Sequence, residues 1–461
     1  MAYETYEKKL DGKLVASIVA TGMLSFCGVL VETAMNIAFP TIMSEFDVNS
    51  ATVQWITTGY LLMLGIIMPM SAYLNRRFTM RSLFVAAIAL FTVGTVAGAL
   101  APNFAVLLIA RLIQGAGTGI ASPLMFNIVY EQVPDENLGT MSGVATFTTS
   151  VAPAIGPSVG GILVTAFGWR SIFWVLVPVV VIAAVIGILS IRESHETERP
   201  RFDVVGEVLI AIFAVTLLVG VSSTDSGLLV VGVLLAAAVV SIVAYAFHAK
   251  RCEYALVDMS VFGHSAFTFA VLSIVLGQMI TLGINYLLPN YMQVSLEASA
   301  ALAGNLMIPG CLLMSATVPV SGILYDKLGV KPVVTVGAVA LLAACLGFGL
   351  IGTIGSLAVL VVFHIVSAMG QAAVSVNVRT HGMKALPQRL EGDGNAAVNT
   401  VQQLAGGLGT AICSSIVSAA QSGATDVAAA TATGTGIAFW VMAGCAVGLL
   451  ACSLLSIRTR N

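Results

Sequence analysis

Two ionisable side chains, Glu32 and Arg111, fall well inside long apolar stretches of the first quarter of the chain. A charge at membrane depth is costly, and where one is kept it is a functional candidate by default. The chemistry open to the two differs. A carboxylate exchanges protons, and its affinity for them rises on desolvation and falls beside a cation. A guanidinium stays protonated, so Arg111 can only hold partners in place. Each lies about seven residues from the same end of its apolar stretch, roughly 10 Å below the surface if the stretch is a helix. Equal depth permits a Glu32–Arg111 pair, and two readings stay open for Glu32: a proton-exchanging acid, or a permanently ionised partner of Arg111. Asn36 shares a helix face with Glu32, and Gln114 shares one with Arg111 and could hold the guanidinium. His364 sits in the middle of a later stretch and can titrate between about pH 5 and 8. Glu207 lies near the start of its own stretch, at the interface.

The stretches that carry these residues fill almost the whole chain. Of 461 residues, 58% are hydrophobic and 9% charged, with a mean hydropathy of +0.98. A soluble domain carries roughly 25% charged residues. Fourteen stretches are long enough to cross a bilayer as helices, the conformation that satisfies its own backbone in lipid. They are numbered α1 to α14 and predicted near 14–39, 50–73, 82–101, 104–130, 138–166, 169–191, 204–222, 227–248, 265–292, 298–324, 332–352, 355–384, 394–420 and 434–457. Short connections leave no room for a soluble domain. The polar start (Tyr6, Glu7, Lys8, Lys9) and the lack of a small-residue cleavage site give α1 as a retained helix.

Apart from Arg111 and Arg170, the 20 Lys and Arg residues fall at the two termini or in or beside the loops α2–α3, α6–α7, α8–α9, α10–α11 and α12–α13. The positive-inside rule then places both termini in the cytoplasm. The net charge of −2 carries no message about nucleic acid, and none is expected as a partner. The seven cysteines are scattered, with no CxxC and, on this reading, no histidine partner at metal spacing. They read as small apolar filler.

The chain repeats itself at an offset of about 250 residues. Asn36 to Pro40 is matched by Asn285 to Pro289. Ser71–Phe78, with Asn75 and Arg76, is matched by Gly322–Gly329, with Asp326, Lys327 and Gly329. Arg111 falls at His364, and Gly139 and Gly156 fall at Gly392 and Gly409. The repeat pairs α1–α6 with α9–α14 and leaves α7 and α8 unpaired. Parallel six-helix repeats around a central site are a transporter architecture.

Candidates for lining that site are Asn36, Trp55, Tyr60, Gln114, Phe147, Asn285, Tyr286, Asn399, Gln402 and Gln403, with Gln278 and Gln371 as further uncharged polar groups. In α5, Pro153 and Pro157 remove backbone donors and bend a helix, while Gly156 and Gly160 form a GxxxG face for close packing. Such a segment suits a moving seam.

Four motifs make the chain similar to the fourteen-helix drug:proton antiporter family of the major facilitator superfamily over nearly its full length. α1 carries Glu32-Thr33, Asn36 and Pro40 of an "L-D-x-T-x-x-N-x-A-x-P" pattern. α4 carries Arg111, Gln114, Gly115 and Gly117 of "R-x-x-Q-G-x-G". α5 carries Gly156, Pro157, Gly160 and Gly161 of the antiporter motif "G-P-x-x-G-G". α13 carries Asn399, Thr400, Gln403, Leu404 and Gly406 of "N-T-x-R-Q-L-G-G". The chain departs from the family in three places: Glu32 replaces an Asp, one residue beyond the pattern's Asp position at Val31, Asn75 replaces the acid of "D-R-x-G-R", and Gln402 replaces an Arg.

The resemblance implies an all-α integral membrane protein with the major facilitator fold, two six-helix bundles plus two inserted helices. The expected divisions are 1–192, 193–252 and 253–461. It implies a proton-coupled multidrug exporter of amphipathic, often cationic compounds in the plasma membrane, working by alternating access. Glu32 and Arg111 would then couple the proton, with His364 and Glu207 as further coupling candidates, and Gly156, Pro157, Gly160, Gly161, Asn75, Arg76, Asp326, Lys327 and Gly329 would carry the conformational motifs. Export of one endogenous metabolite and a non-transporting sensor are the alternatives. The expected partners are a small amphipathic molecule, a proton and the lipid bilayer, with the protein working as a monomer. No cofactor or metal is expected. No nucleophile–base pair suggests an enzyme, and no GxxxxGK[ST] loop suggests ATP as the energy source.

Overall fold

The structure, a computed structural model, describes residues 10–193, 197, 201–223, 227–252, 254–351, 354, 356–387 and 390–459. Each predicted stretch is helical: α1 Gly12–Phe46, α3 Met80–Ala99, α4 Phe104–Gln132, α5 Asp135–Phe167, α6 Ser171–Ser190, α7 Val204–Ser222, α8 Leu228–Ala249, α9 Ser265–Val294, α10 Ala300–Leu328, α11 Val330–Ile351, α12 Leu357–Lys384, α13 Glu391–Gln421 and α14 Val427–Arg458. α2 is a broken rod of Ser50–Val53, Trp55–Ile67, a 3₁₀ turn Met68–Met70 and Ser71–Arg77. Among the described residues, thirteen of the fourteen are long and apolar enough to cross a membrane, and α5, at 33 residues, has the length to do so. No strand occurs among the described residues.

Local chemistry explains where the helix ends depart from the hydropathy pattern. Asp11 caps α1, its carboxylate accepting the Leu14 N–H at 2.8 Å and pairing with Arg192 at 2.8 Å. That backbone bond, with Arg192 beside it, holds the Asp11 carboxyl below its ordinary pKa. α1 runs through Pro40 and stops only at Asp47, whose φ of 51° is left-handed. α14 starts seven residues earlier than hydropathy suggests, because its first turns are Ala and Thr and Asp426 caps them through the Ala429 N–H at 3.0 Å. α2 breaks where Pro69 removes a donor.

The packing repeats with an offset of eight helices. α1 packs on α4, α5 and α6, and α9 packs on α12, α13 and α14. α2 packs on α4 as α10 does on α12. α3 packs on α4 and α6, as α11 does on α12 and α14. The halves meet at two long crossings, α5 with α10 and α2 with α13, and at a shorter one between α1 and α9. α7 and α8 pack on each other. α7 lies across the α2–α13 crossing, where Leu62, Ala214, Leu218 and Leu404 form a small core with Trp55 on its edge.

The glycines of α5 divide between two neighbours. A Cβ at Gly156 would come 2.0 Å from Thr33 Oγ1, and one at Gly160 would come 2.7 Å from the Ala34 carbonyl, so both face α1 of the same half. The crossing between halves is made by Gly161, whose Cβ would meet the Ala300 carbonyl at 2.4 Å, and by Gly304 of α10, whose Cβ would meet the Pro157 carbonyl at 2.1 Å. The GxxxG face read from the sequence therefore packs within one half, and the neighbouring Pro157 and Gly161 lie on the seam. Overpacking a tight contact costs about 1–3 kcal/mol. Gly304→Val is expected to lower the thermal unfolding temperature of the purified protein, whereas Gly322→Ala, which meets no neighbour within 4 Å, leaves it unchanged. Equal melting temperatures for the two variants would show that the seam yields freely.

Candidate functional site

A cavity of about 260 Å³ lies between the halves at mid-depth. α1 supplies Val29, Glu32 and Thr33, α5 supplies Pro153, and the rest of the wall comes from the second half, with Gln278 and Asn285 on α9, Cys311 on α10, His364 and Gln371 on α12, and Gln402 and Gln403 on α13 among its polar groups. Glu32 is 8% exposed, and it is the one carboxylate among the described lining residues. It sits on the cavity wall rather than in a closed ion pair.

Opposite it, His364 fits because Gly310 has no side chain. A Cβ there would come 2.3 Å from the imidazole Cδ2. The His364 Nε2 is 4.0 Å from Cys311 Sγ, and Nδ1 has no hydrogen-bond partner. The Gln402 side-chain amide donates to the Gln278 side-chain oxygen at 3.4 Å. The walls thus mix apolar groups with neutral donors and acceptors, one acid and one imidazole.

Arg111 is fully buried, and its partners differ from those the depth argument suggested. Its Nε donates to the Ile56 carbonyl at 3.2 Å, and Nη1 donates to the Gln114 side-chain oxygen. The guanidinium carbon lies 4.2 Å from the centroid of the Tyr60 ring. Gln114 in turn donates to Thr95 at 2.8 Å, and the Tyr60 hydroxyl donates to Thr118 at 2.8 Å. Arg111 therefore fastens α4 to α2 and α3. No hydrogen bond or ion pair joins it to Glu32. Nη2 is left without a partner.

Of the other predicted cavity residues, the structure brings Asn285, Gln402 and Gln403 to the wall. Asn36 accepts from Thr57 at 2.9 Å and ties α1 to α2. Tyr60 and Gln114 serve Arg111. Trp55 packs toward α7. Asn399 accepts from Arg379 at 2.8 Å. Tyr286 bonds Ser50 and lies against Phe39, with ring centroids 6.1 Å apart. The side chain of Phe147 lies outside the described residues. None of these six positions of known contact lines the cavity, because each spends its polar atom or ring on a neighbouring group.

The conformational motif residues outside α5 sit at the ends of α2 and α10. Asn75 donates to Glu131 of α4 at 2.8 Å, so an acid from another helix stands beside the position where the family has one in sequence. Arg76, Asp326 and Lys327 are exposed, and Gly329 ends α10 with φ 82°. Glu207 is half-buried on α7, one turn from Asp203 and away from the cavity, and both of its carboxylate oxygens are buried without partners.

The sequence reading missed Cys311 and Thr33 as lining residues: Cys311 has no charge or spacing to mark it, and Thr33 is read only as part of the α1 motif. It also missed that Cys252 stands four residues after His248. The fold brings both to Asp203, with one ligand atom of each within 4.8 Å of the others.

This geometry has relatives. The Major Facilitator Superfamily profile matches residues 21–410, so the chain belongs to that superfamily. It is 34% identical to the lincomycin resistance protein LmrB of Bacillus subtilis, over 91% of this chain and 89% of that one. It is 29% identical to the multidrug resistance protein B homolog of Mycobacterium tuberculosis, over 89% of this chain and 77% of that one. A crystal structure of a bacterial homolog of the human lysosomal transporter Spinster shares the fold, with a TM-score of 0.71, 14% identity and coverage of 98% and 99% of the two chains. The resemblance read from the motifs is borne out. The protein is a multi-pass membrane transporter of small molecules, not an enzyme.

Lys cannot make the fork of donors and the ring contact that Arg111 makes together. Arg111→Lys is expected to loosen α2 from α4 by about 2 kcal/mol. The checks are the thermal stability of the purified variant and its transport rate. Wild-type values of both would remove Arg111 from the site's framework.

Proposed function

We propose that the protein is a proton-coupled multidrug exporter that moves amphipathic, cationic compounds by alternating access. The observation that carries the reading is Glu32, a single carboxylate on the wall of a mid-membrane cavity otherwise built of neutral and apolar groups. Such an acid can hold either a proton or a cationic substrate, and a ligand that binds the two conformations unequally shifts their balance. The names of the resistance relatives support drug export.

In this reading residues 1–192 and 253–461 are the two moving bodies, and 193–252 is a linker that carries α7 and α8. Both termini face the cytoplasm. Hydrogen bonds between the halves gather toward the opposite end: Ser50 with Tyr286, Gln293 to the Ile37 carbonyl at 3.1 Å, Ser158 to Asn305, and Thr58 with Thr410 at 3.1 Å. They support a conformation closed toward the outside. A proton entering from outside would compete with substrate at Glu32. Arg111 keeps α2 and α4 in place. One chain holds the whole cavity, which supports a working monomer.

The test is uptake into inside-out vesicles driven by an imposed pH gradient, with a panel of unrelated lipophilic cations as substrates. Wild-type protein is expected to accumulate several of them and to stop when the gradient is collapsed. Glu32→Gln is expected to fall to the level of empty vesicles while remaining folded. Gradient-driven uptake by Glu32→Gln at the wild-type rate would overturn the coupling role, and inhibition by a single compound class would replace the multidrug reading with a dedicated exporter.

A further inference from the structure

The inserted helices carry a second constellation far from the cavity. Asp203 caps α7, His248 lies in the last turn of α8, and Cys252 follows four residues later. Asp203 is 2% exposed. Its Oδ1 accepts the Gly206 N–H at 2.8 Å and lies 2.6 Å from His248 Nε2, while Oδ2 is buried with no partner. Cys252 is half-buried and unbridged. One turn into α7, both oxygens of Glu207 are also buried and unpaired.

An unpaired carboxylate oxygen in so closed a place leaves a full desolvation cost standing. A cation among these atoms would remove it. The donor set is one imidazole nitrogen, one thiolate sulfur and one carboxylate oxygen, with a second carboxylate a turn away. That mixture suits zinc, which takes N, S and O donors in tetrahedral sites. Hard cations such as calcium and magnesium take oxygen shells instead. Each pair spans one turn at a helix end: the Cys252 N–H donates to the His248 carbonyl just past α8, and the Glu207 N–H donates to the Asp203 carbonyl at the start of α7, both at 3.0 Å.

We propose that Asp203, His248 and Cys252 form a zinc-class divalent metal site that clasps α7 to α8. Binding displaces the proton shared by His248 and Asp203 and the thiol proton of Cys252, both going to solvent. Oδ1 of Asp203 keeps its helix cap, and Oδ2 is free to turn to the metal. Three protein ligands leave a fourth position for water or for Glu207. The clasp lies at the base of a strut. Next to it, the Tyr245 hydroxyl donates to the Val257 carbonyl at 3.0 Å and accepts its N–H at 2.9 Å, and Asp393 of α13 accepts the Asp258 N–H at 3.1 Å. Metal occupancy would thus stiffen the hairpin that lies across the α2–α13 crossing.

The experiment uses full-length protein in detergent, purified without a polyhistidine tag, titrated with Co²⁺ and then Zn²⁺. The expected result is one Co²⁺ per chain with a thiolate-to-cobalt charge-transfer band, lost on adding one equivalent of Zn²⁺. The band should vanish in Cys252→Ser and in His248→Ala and persist in Cys452→Ser. Asp203→Asn, which keeps an oxygen for the cap, should weaken binding at least tenfold. A second measurement needs no variant of the ligands: in a chain whose other six cysteines are replaced by serine or alanine, Zn²⁺ should slow maleimide labelling of Cys252 at least tenfold. Absence of the band at saturating Co²⁺, a band retained in Cys252→Ser, or a labelling rate indifferent to Zn²⁺ would each overturn the site.

Discussion

Hydrocarbon offers no partner to a carbonyl, an amide or a charge, so whatever is polar at membrane depth must be answered from within the protein. Arg111 shows how much structure one charge can require. Its guanidinium takes the second lone pair of the Ile56 carbonyl, the Gln114 oxygen and the face of Tyr60. Each of those partners is then held by another: Gln114 by Thr95, and Tyr60 by Thr118. Four side chains on three helices are fixed by one cation. The register of α2 against α4 follows from it, and with it the position of α1, whose Gly28 lies so close that a Cβ would come 2.5 Å from Thr118.

The same solvent gives helices little apolar reason to associate, so their crossings depend on small residues. Within the halves these crossings correspond. Gly117 sits against the Ala87 carbonyl and the Phe91 amide, and Gly370 sits against the Gly337 carbonyl and the Leu341 amide. Gly156 faces α1 as Gly409 faces Met279 of α9. Between the halves the two long crossings differ in kind. α5 and α10 meet backbone to backbone at Gly161 and Gly304. α2 and α13 meet through side chains, with Leu404 against Gly65. A backbone contact tolerates rotation about the contact point, whereas a leucine in a glycine notch must leave it. If the halves rock, the second crossing is where side chains have to be re-sorted, and α7 lies against it.

Hydropathy made the helices legible because span length is imposed by the bilayer. The repeat was legible because both copies keep their motif residues at one offset. Asn285, Gln402 and Gln403 were legible as cavity residues because they are polar at membrane depth. What the linear chain hid was direction. Asn36, Tyr60, Gln114 and Tyr286 are as polar and as deep, but each faces a neighbouring helix, and facing depends on crossing angles that no motif records. The glycines of α5 show the same limit: their spacing announced a close contact without saying with which half. Asp203 and His248 are 45 residues apart in sequence, so only the hairpin of α7 and α8 could bring them together.

The cavity's position follows from how the two halves fill the same slot. The alignment that pairs Asn75 with Asp326 and Arg111 with His364 sets Tyr60 at Cys311 and Gln114 at Ser367. In the first half an arginine, a tyrosine and a glutamine fill the slot completely, and none of them lines the cavity. In the second half a histidine, a cysteine and a serine stand there, all smaller, and all three line it. The volume lost on replacing Tyr by Cys and Gln by Ser is space that the helices do not close, and it opens toward Glu32. One copy of the repeat has thus kept the scaffold's charge and the other its emptiness, and the acid of the first half faces the space left by the second.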